Sequence, residues 1–174
     1  QGFYAAYADM ARRDLDLVVH LGDYIYESSW GSRHVRKHMN GIPTTLPEFR
    51  ERYALYKLDP DLQAAHAAFP WLSIWDDHEV ANDYADDHSS AMSDRDQFLK
   101  VRAAAYQAYY EHMPLPPTAR PRGPEAVIYD RYAFGRMVNL ILLDDRQYRS
   151  PHACLPGRSA SPRVDCPDRL REDR

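Results

Sequence analysis

Three short apolar runs in this 174-residue chain break off abruptly into acid. Residues 15–21 (LDLVVHL) run into Gly22-Asp23, Trp71-Leu-Ser-Ile-Trp75 runs into Asp76-Asp77-His78-Glu79, and Met137-Val-Asn-Leu-Ile-Leu-Leu143 runs into Asp144-Asp145-Arg146. The runs have the length of buried strands rather than helices, and Val18 and Val19 favour a strand. In an open α/β sheet, ligands gather beyond the carboxyl ends of the strands. Three such ends in one sheet would bring Asp23, Asp76, Asp77, His78, Asp144 and Arg146 together. Carboxylates crowded into one pocket repel unless cations hold them, so the pattern points to a metal site. Oxygen donors from Asp suit calcium, magnesium, manganese or ferric iron better than a thiolate metal. Tyr26, three residues after Asp23, reads in two ways: as an aromatic packed under a loop, or as a phenolate ligand, which favours a ferric ion.

The stretches between the runs read as helices and loops. Residues 3–13 carry helical spacing. Thr45-Leu-Pro-Glu48 is a capping box that opens a helix to about Lys57, with Phe49, Tyr53 and Tyr56 on one face. Asp59-Pro60 starts another through Ala68. Ser93 with Asp96 starts a third, reaching about His112, with Phe98, Val101, Ala105 and Tyr109 inward. Residues 126–134 and 137–143 form a hairpin about Gly135-Arg136, and the second arm is apolar enough to predict burial on both faces. The basic cluster Arg33, His34, Arg36, Lys37 and His38 reads as a solvated loop or as a rim that attracts anions. Asp83, Asp86, Asp87 and His88 read as a solvated acidic loop, and His20 as a core histidine. The class is α/β.

Composition removes several alternatives. Leu, Ile, Val and Phe number only 33, but 21 aromatic residues and a net charge of −4 oppose disorder. A sequence pI near 6.1 gives no basic surface for nucleic acid. No apolar run approaches 18 residues, so no membrane-spanning helix is expected. Cys154 and Cys166, with eleven residues between them, predict a surface disulfide that would stabilise by roughly 3 kcal/mol and imply an oxidising compartment. The alternative is two free thiols. Arg outnumbers Lys 19 to 3, a bias that fits a GC-rich bacterial genome.

The segments His20-Leu-Gly-Asp-Tyr-Ile-Tyr-Glu27, Trp75-Asp-Asp-His-Glu-Val-Ala-Asn82 and Leu143-Asp-Asp-Arg-Gln-Tyr-Arg149 resemble, in order, those of PhoD-type alkaline phosphatases, within the calcineurin-like metallophosphatase superfamily. The Gly-Asp-x-x-Tyr spacing is also similar to that of purple acid phosphatases. Residues 147–174 carry no periodicity and read as an irregular loop; the resemblance implies that residues 1–174 are part of one catalytic domain, cut at both ends, within a four-layer αββα sandwich. It implies a metal-dependent phosphoric ester hydrolase, acting on phosphate monoesters or diesters through a metal-activated hydroxide, with ferric iron and calcium as cofactors.

Carried over by position, the metal ligands would be Asp23, Tyr26 and either Asp77 or Asn82. His78 would face phosphate, and Arg146 would orient its loop or fork onto phosphate. Asp76, Glu79 and Asp144 would stand behind them. The resemblance also implies a twin-Arg export route, hence a periplasmic or secreted protein. The family's iron-ligating Cys before this region, and its Asp and His ligands after it, have no counterpart here. The competing reading is therefore a noncatalytic metal-binding remnant. No G-x-S-x-G or P-loop pattern argues for a Ser nucleophile or a nucleotide cradle.

Overall fold

Caps decide where the helices begin. The structure, a computed structural model, describes residues 2–29, 31–153 and 163–164. α1 (Ala5–Met10) is shorter than the spacing over 3–13 predicts, and no side chain caps it. α2 (Leu46–Lys57) opens on the predicted box, in which the Thr45 hydroxyl takes the Glu48 amide while the Glu48 carboxylate accepts the Thr45 N–H at 2.9 Å. α3 (Pro60–Ala68) has Asp59 as its cap, accepting the amides of Asp61 and Leu62. α4 (Arg95–His112) is capped by Asp94, one residue after the predicted Ser93, because the Asp94 carboxylate reaches the amides of Asp96 and Gln97.

β1 (Val18–His20) and β2 (Trp71–Ser73) pair in parallel, Val18 opposite Trp71, with α2 and α3 forming the crossover between them. Their carboxyl ends point the same way, so the Gly22–Glu27 and Asp76–Asn82 segments emerge side by side.

Aromatic rings supply the burial that a short aliphatic inventory cannot. Trp75 stacks on Tyr106 with centroids 4.0 Å apart, and Tyr53 lies flat on His112 at 5.0 Å. Phe49, Tyr53 and Tyr56 of α2 and Phe98, Val101, Ala105 and Tyr109 of α4 are all buried, as their spacing predicts. Arg50 forks onto Glu111 across the same helix pair at 2.6 and 2.7 Å. His20 and His66 stack on Trp71, and burial lowers both pKa values to about 4.

The third apolar run departs from expectation. β3 (Asp130–Phe134) and β4 (Val138–Leu142) form an antiparallel hairpin about Gly135, whose φ is +59°. β4 pairs with β3 alone and does not join β1 and β2 among the described residues. Its apolar side chains are accordingly not buried on both faces: Val138 and Ile141 are exposed, and Leu142 is the one fully buried. The class is α/β, but the one sheet expected to gather all three strand ends is not formed among the described residues. β5 (His152–Ala153) and β6 (Arg163–Val164) make a further short parallel pair. Cys154 and Cys166 lie outside the described residues, as does Trp30.

The basic loop also differs from expectation. Arg36 is buried, paired with Asp59 at 2.7 Å and laid over the rings of Tyr4 and Tyr56. It plugs the core and leaves the rim, because a guanidinium can satisfy its charge and its flat faces at once there. His38 packs against Tyr56, its Nε2 3.2 Å from the Tyr56 hydroxyl.

Candidate metal centre

The chain turns sharply where β1 ends. Gly22 has φ +103°, and a Cβ there would lie 2.3 Å from the Asp76 amide nitrogen, so only glycine lets the two strand-end loops approach this closely. Asp23 follows with φ +57°, a left-handed conformation that Asp tolerates better than most residues. Glu79 locks the two loops together. Its buried carboxylate accepts the backbone N–H of Tyr24 from the first loop and that of Asp76, at 2.9 Å, from its own. Burial raises its pKa to about 7, against the pull of those amides.

This locking brings Asp23, Asp77 and His78 together, with one potential ligand atom from each lying within 4.8 Å of the others. Burial raises the pKa of Asp23 above the usual carboxylate range, against the pull of His78 and the Tyr26 hydrogen bond and with smaller pushes from Asp77 and Asp76. Its Oδ1 is buried with no hydrogen-bond partner among the described residues. An orphaned carboxylate oxygen aimed into a cluster of acid and imidazole fits a bound cation, since burying it bare is costly. The Tyr26 hydroxyl donates to Asp23 Oδ2 at 3.1 Å, and its ring lies against His78 with centroids 4.4 Å apart. Burial and the Asp23 charge push the Tyr26 pKa up.

Glu27 has no sequence-assigned role, yet it is central to the geometry. Its buried Oε2 is 2.7 Å from His78 Nδ1, and its Oε1 accepts the Asn82 amide at 3.3 Å. Burial disfavours the imidazolium, but the hydrogen bond and charge of Glu27, with Asp77 and Asp23 nearby, leave the His78 pKa above its ordinary value. Asn82 thus meets the site through its backbone.

The end of β4 reaches the site without sharing its sheet. Asp144 accepts the amides of Arg146 and Gln147 at 3.0 and 2.9 Å, making the turn that aims Arg146. Arg146 then spans to the second loop. Its Nε donates to Asp76 at 2.5 Å, its Nη1 meets Asp83 at 2.9 Å, and its Nη2 lies 3.8 Å from Asp77. Arg149 joins Asp83 from the same side at 2.9 Å. Asp83 is therefore not a solvated acid; its side chain anchors two arginines. Gln147 is buried and clamps the Ala126 backbone through both ends of its amide.

Sequence reasoning misses Glu27, Asp83 and the buried Arg52. Arg52 leaves a trace, because it falls on the apolar stripe Phe49, Tyr53, Tyr56, where a charged residue needs a reason. Glu27 carries only its place at the end of the first quoted motif.

A family model described as PhoD-like phosphatase matches residues 1–174. The chain belongs to the PhoD-like phosphatase family. Alkaline phosphatase D of Bacillus subtilis (strain 168) is 47% identical to it over 157 residues, covering 87% of this chain and 27% of that protein. A solved structure titled "Structure of PhoD" matches with a TM-score of 0.80 and 47% identity, over 86% of this chain and 30% of that one. This PhoD-like chain thus spans less than a third of the relatives it matches. No helix among its described residues is long and apolar enough to cross a membrane.

Proposed function

We propose that this chain is part of the catalytic domain of a metal-dependent phosphoric ester hydrolase, set within a complete αββα sandwich. The observation that carries the reading is the convergence of Asp23, Asp77 and His78 at two parallel strand ends, with Asp23 Oδ1 buried and unpartnered. Family membership and the kinship to alkaline phosphatase D support it.

Asp23, Asp77 and His78 would hold the cations, with the Tyr26 phenol beside them and Asn82 in reserve on the same loop. We take calcium and ferric iron as the cations because the family resemblance implies them; the carboxylate and phenol oxygens present suit such hard ions. When bound, such ions lower the pKa of a water and draw charge from the phosphate oxygens.

The chain's own residues prepare the site. Glu27 fixes the ring of His78 through Nδ1. Arg146 supports its loop-orienting role, because each of its nitrogens faces a carboxylate. Its charge lets Asp76, Asp77 and Asp83 crowd together. Glu79 keeps the two ligand loops in register. Substrates are phosphate monoesters or diesters. The protein acts in the periplasm or outside the cell.

The test is hydrolysis of p-nitrophenyl phosphate and its bis ester by the full natural protein with calcium and iron supplied. Activity should vanish with a chelator and in Asp23→Ala and Asp77→Ala. A folded, metal-loaded protein that cleaves neither ester refutes the reading.

A further inference from the structure

Arg52 of α2 is among the most deeply buried side chains in the protein, and among the described residues no carboxylate pairs with it. Its guanidinium instead forks in two directions. Nη1 donates to the carbonyl oxygens of Tyr26 at 2.6 Å and Glu27 at 2.7 Å. Nη2 donates to Asn40 Oδ1 at 2.7 Å and the Gly41 carbonyl at 2.8 Å. Burying a cation is costly, and a hydrophobic residue on this stripe would pack without that cost. An apolar replacement would, however, strand carbonyl groups that have lost their donor.

What those acceptors belong to gives the residue its meaning. Tyr26 and Glu27 are the segment whose side chains meet Asp23 and His78. Asn40 and Gly41 lie within the basic loop, whose earlier part is pinned separately by Arg36 on Asp59 and by His38 on Tyr56. Asn40 also reaches the carbonyl of Glu48 at the start of α2. A continuous run of hydrogen bonds therefore leads from His78 through Glu27 to Arg52 and on to Asn40.

We propose that Arg52 is a positioning residue that ties the basic 31–45 loop to the Tyr26–Glu27 corner of the candidate metal site, so that loop and corner open and close as one unit. The catalytic part of this inference rests on the proposed phosphatase function; the coupling itself does not. A lysine in its place keeps the charge but cannot fork.

Hydrogen exchange by mass spectrometry on the full natural protein tests the coupling. Asn40→Ala removes the loop-side side-chain acceptor of Arg52, together with the Asn40 amide's own bonds to Glu48 and Glu51 on α2, none of which touches residues 24–29. Exchange should rise about tenfold, as for loss of one charge-assisted hydrogen bond, in residues 38–42 and in residues 24–29 together. A rise confined to 38–42, or no rise at all, overturns the proposal.

Arg52→Lys should lower kcat on p-nitrophenyl phosphate roughly 10–100-fold, the usual cost of losing a support behind a ligand shell. KM should stay within about threefold, because the lost interaction supports the reacting groups rather than substrate binding. A folded Arg52→Lys protein with wild-type kcat also overturns it. If that variant does not fold, Asn40→Ala decides alone. If the wild type cleaves no ester, the proposed function fails while the exchange experiment still answers.

Discussion

Gly22→Ala should be among the most damaging small substitutions in this chain. The added methyl meets two separate obstacles. At φ +103° an L side chain is strained, at a cost of about 1–3 kcal/mol. The new Cβ would also sit 2.3 Å from the Asp76 nitrogen, 2.4 Å from the Asp76 Cβ and 2.8 Å from the Trp75 carbonyl carbon. Two of these three atoms are backbone, so no flexible side chain can swing aside, and overpacking of this kind costs about 1–3 kcal/mol more. The total, roughly 2–6 kcal/mol, is a large part of the ~5–15 kcal/mol that holds a typical domain together. It corresponds to a fall in melting temperature of roughly 5–20 °C. Gly123→Ala is the control: its φ is +64°, but nothing lies within 4 Å of the added atom, so it carries the backbone cost alone. Urea unfolding of both variants separates the two contributions. Forcing the loops apart should also move Asp23 away from Asp77 and weaken cation binding by Gly22→Ala, measured by calorimetric titration with calcium. If Gly22→Ala costs no more than Gly123→Ala, the close approach of the two strand-end loops is not real and the argument for the site's assembly fails.

Other outcomes follow from the same geometry. Glu27→Gln should reduce cation affinity or ester hydrolysis roughly 10–100-fold with little change in fold; wild-type values for both would remove Glu27 from the site. Asp94→Ala should cost about 1 kcal/mol in urea unfolding, while Ser93→Ala should be near neutral; the reverse order would move the start of α4 back to the residue its sequence first indicates. His20 and His66 have folded pKa values near 4, set by burial and by neighbouring positive charge, below the unfolded value of about 6.5. Their neutral rings therefore contribute stability that is complete above about pH 6.5 and is lost as pH falls through about 4. The melting temperature should drop across that window, and drop less in His66→Phe; equal slopes would exclude the histidine pair as the cause.

Local chemistry made the helices legible. Thr45 with Glu48 and Asp59 with Pro60 act on amides within one turn, so their meaning does not depend on the rest of the chain. Asp94 was misread by one position for a related reason: Ser93 and Asp94 both have side chains that can cap, and which one does depends on where the loop delivers the backbone. The three strand-end acids were equally visible, because a buried strand that stops in Asp is unusual wherever it folds.

Partnership across the chain was not legible. Glu27 and His78 are 51 positions apart, and Arg146 and Asp76 are 70 apart. No spacing rule connects residues that far apart. Arg36 reads as one of a basic surface cluster until neighbouring rings absorb it, and the place of Arg52 on an apolar stripe does not say which carbonyls it meets. β4 looked like a central strand, yet pairs only with β3, because an apolar pattern reports what a strand could bury and not which neighbours it finds.

The sequence by itself determined the starts of α2 and α3, the α/β class and the acidic ends of the apolar runs, since these follow from groups within a few residues of one another. Only the tertiary structure decided which acids meet. The parallel pairing of β1 and β2, made possible by Gly22 and bound by Glu79, gathers Asp23, Asp77 and His78 within 4.8 Å. The same fold turns Arg146 onto carboxylates and sets Glu27 behind His78, because the cost of burying charge is met only by partners that the folded chain supplies.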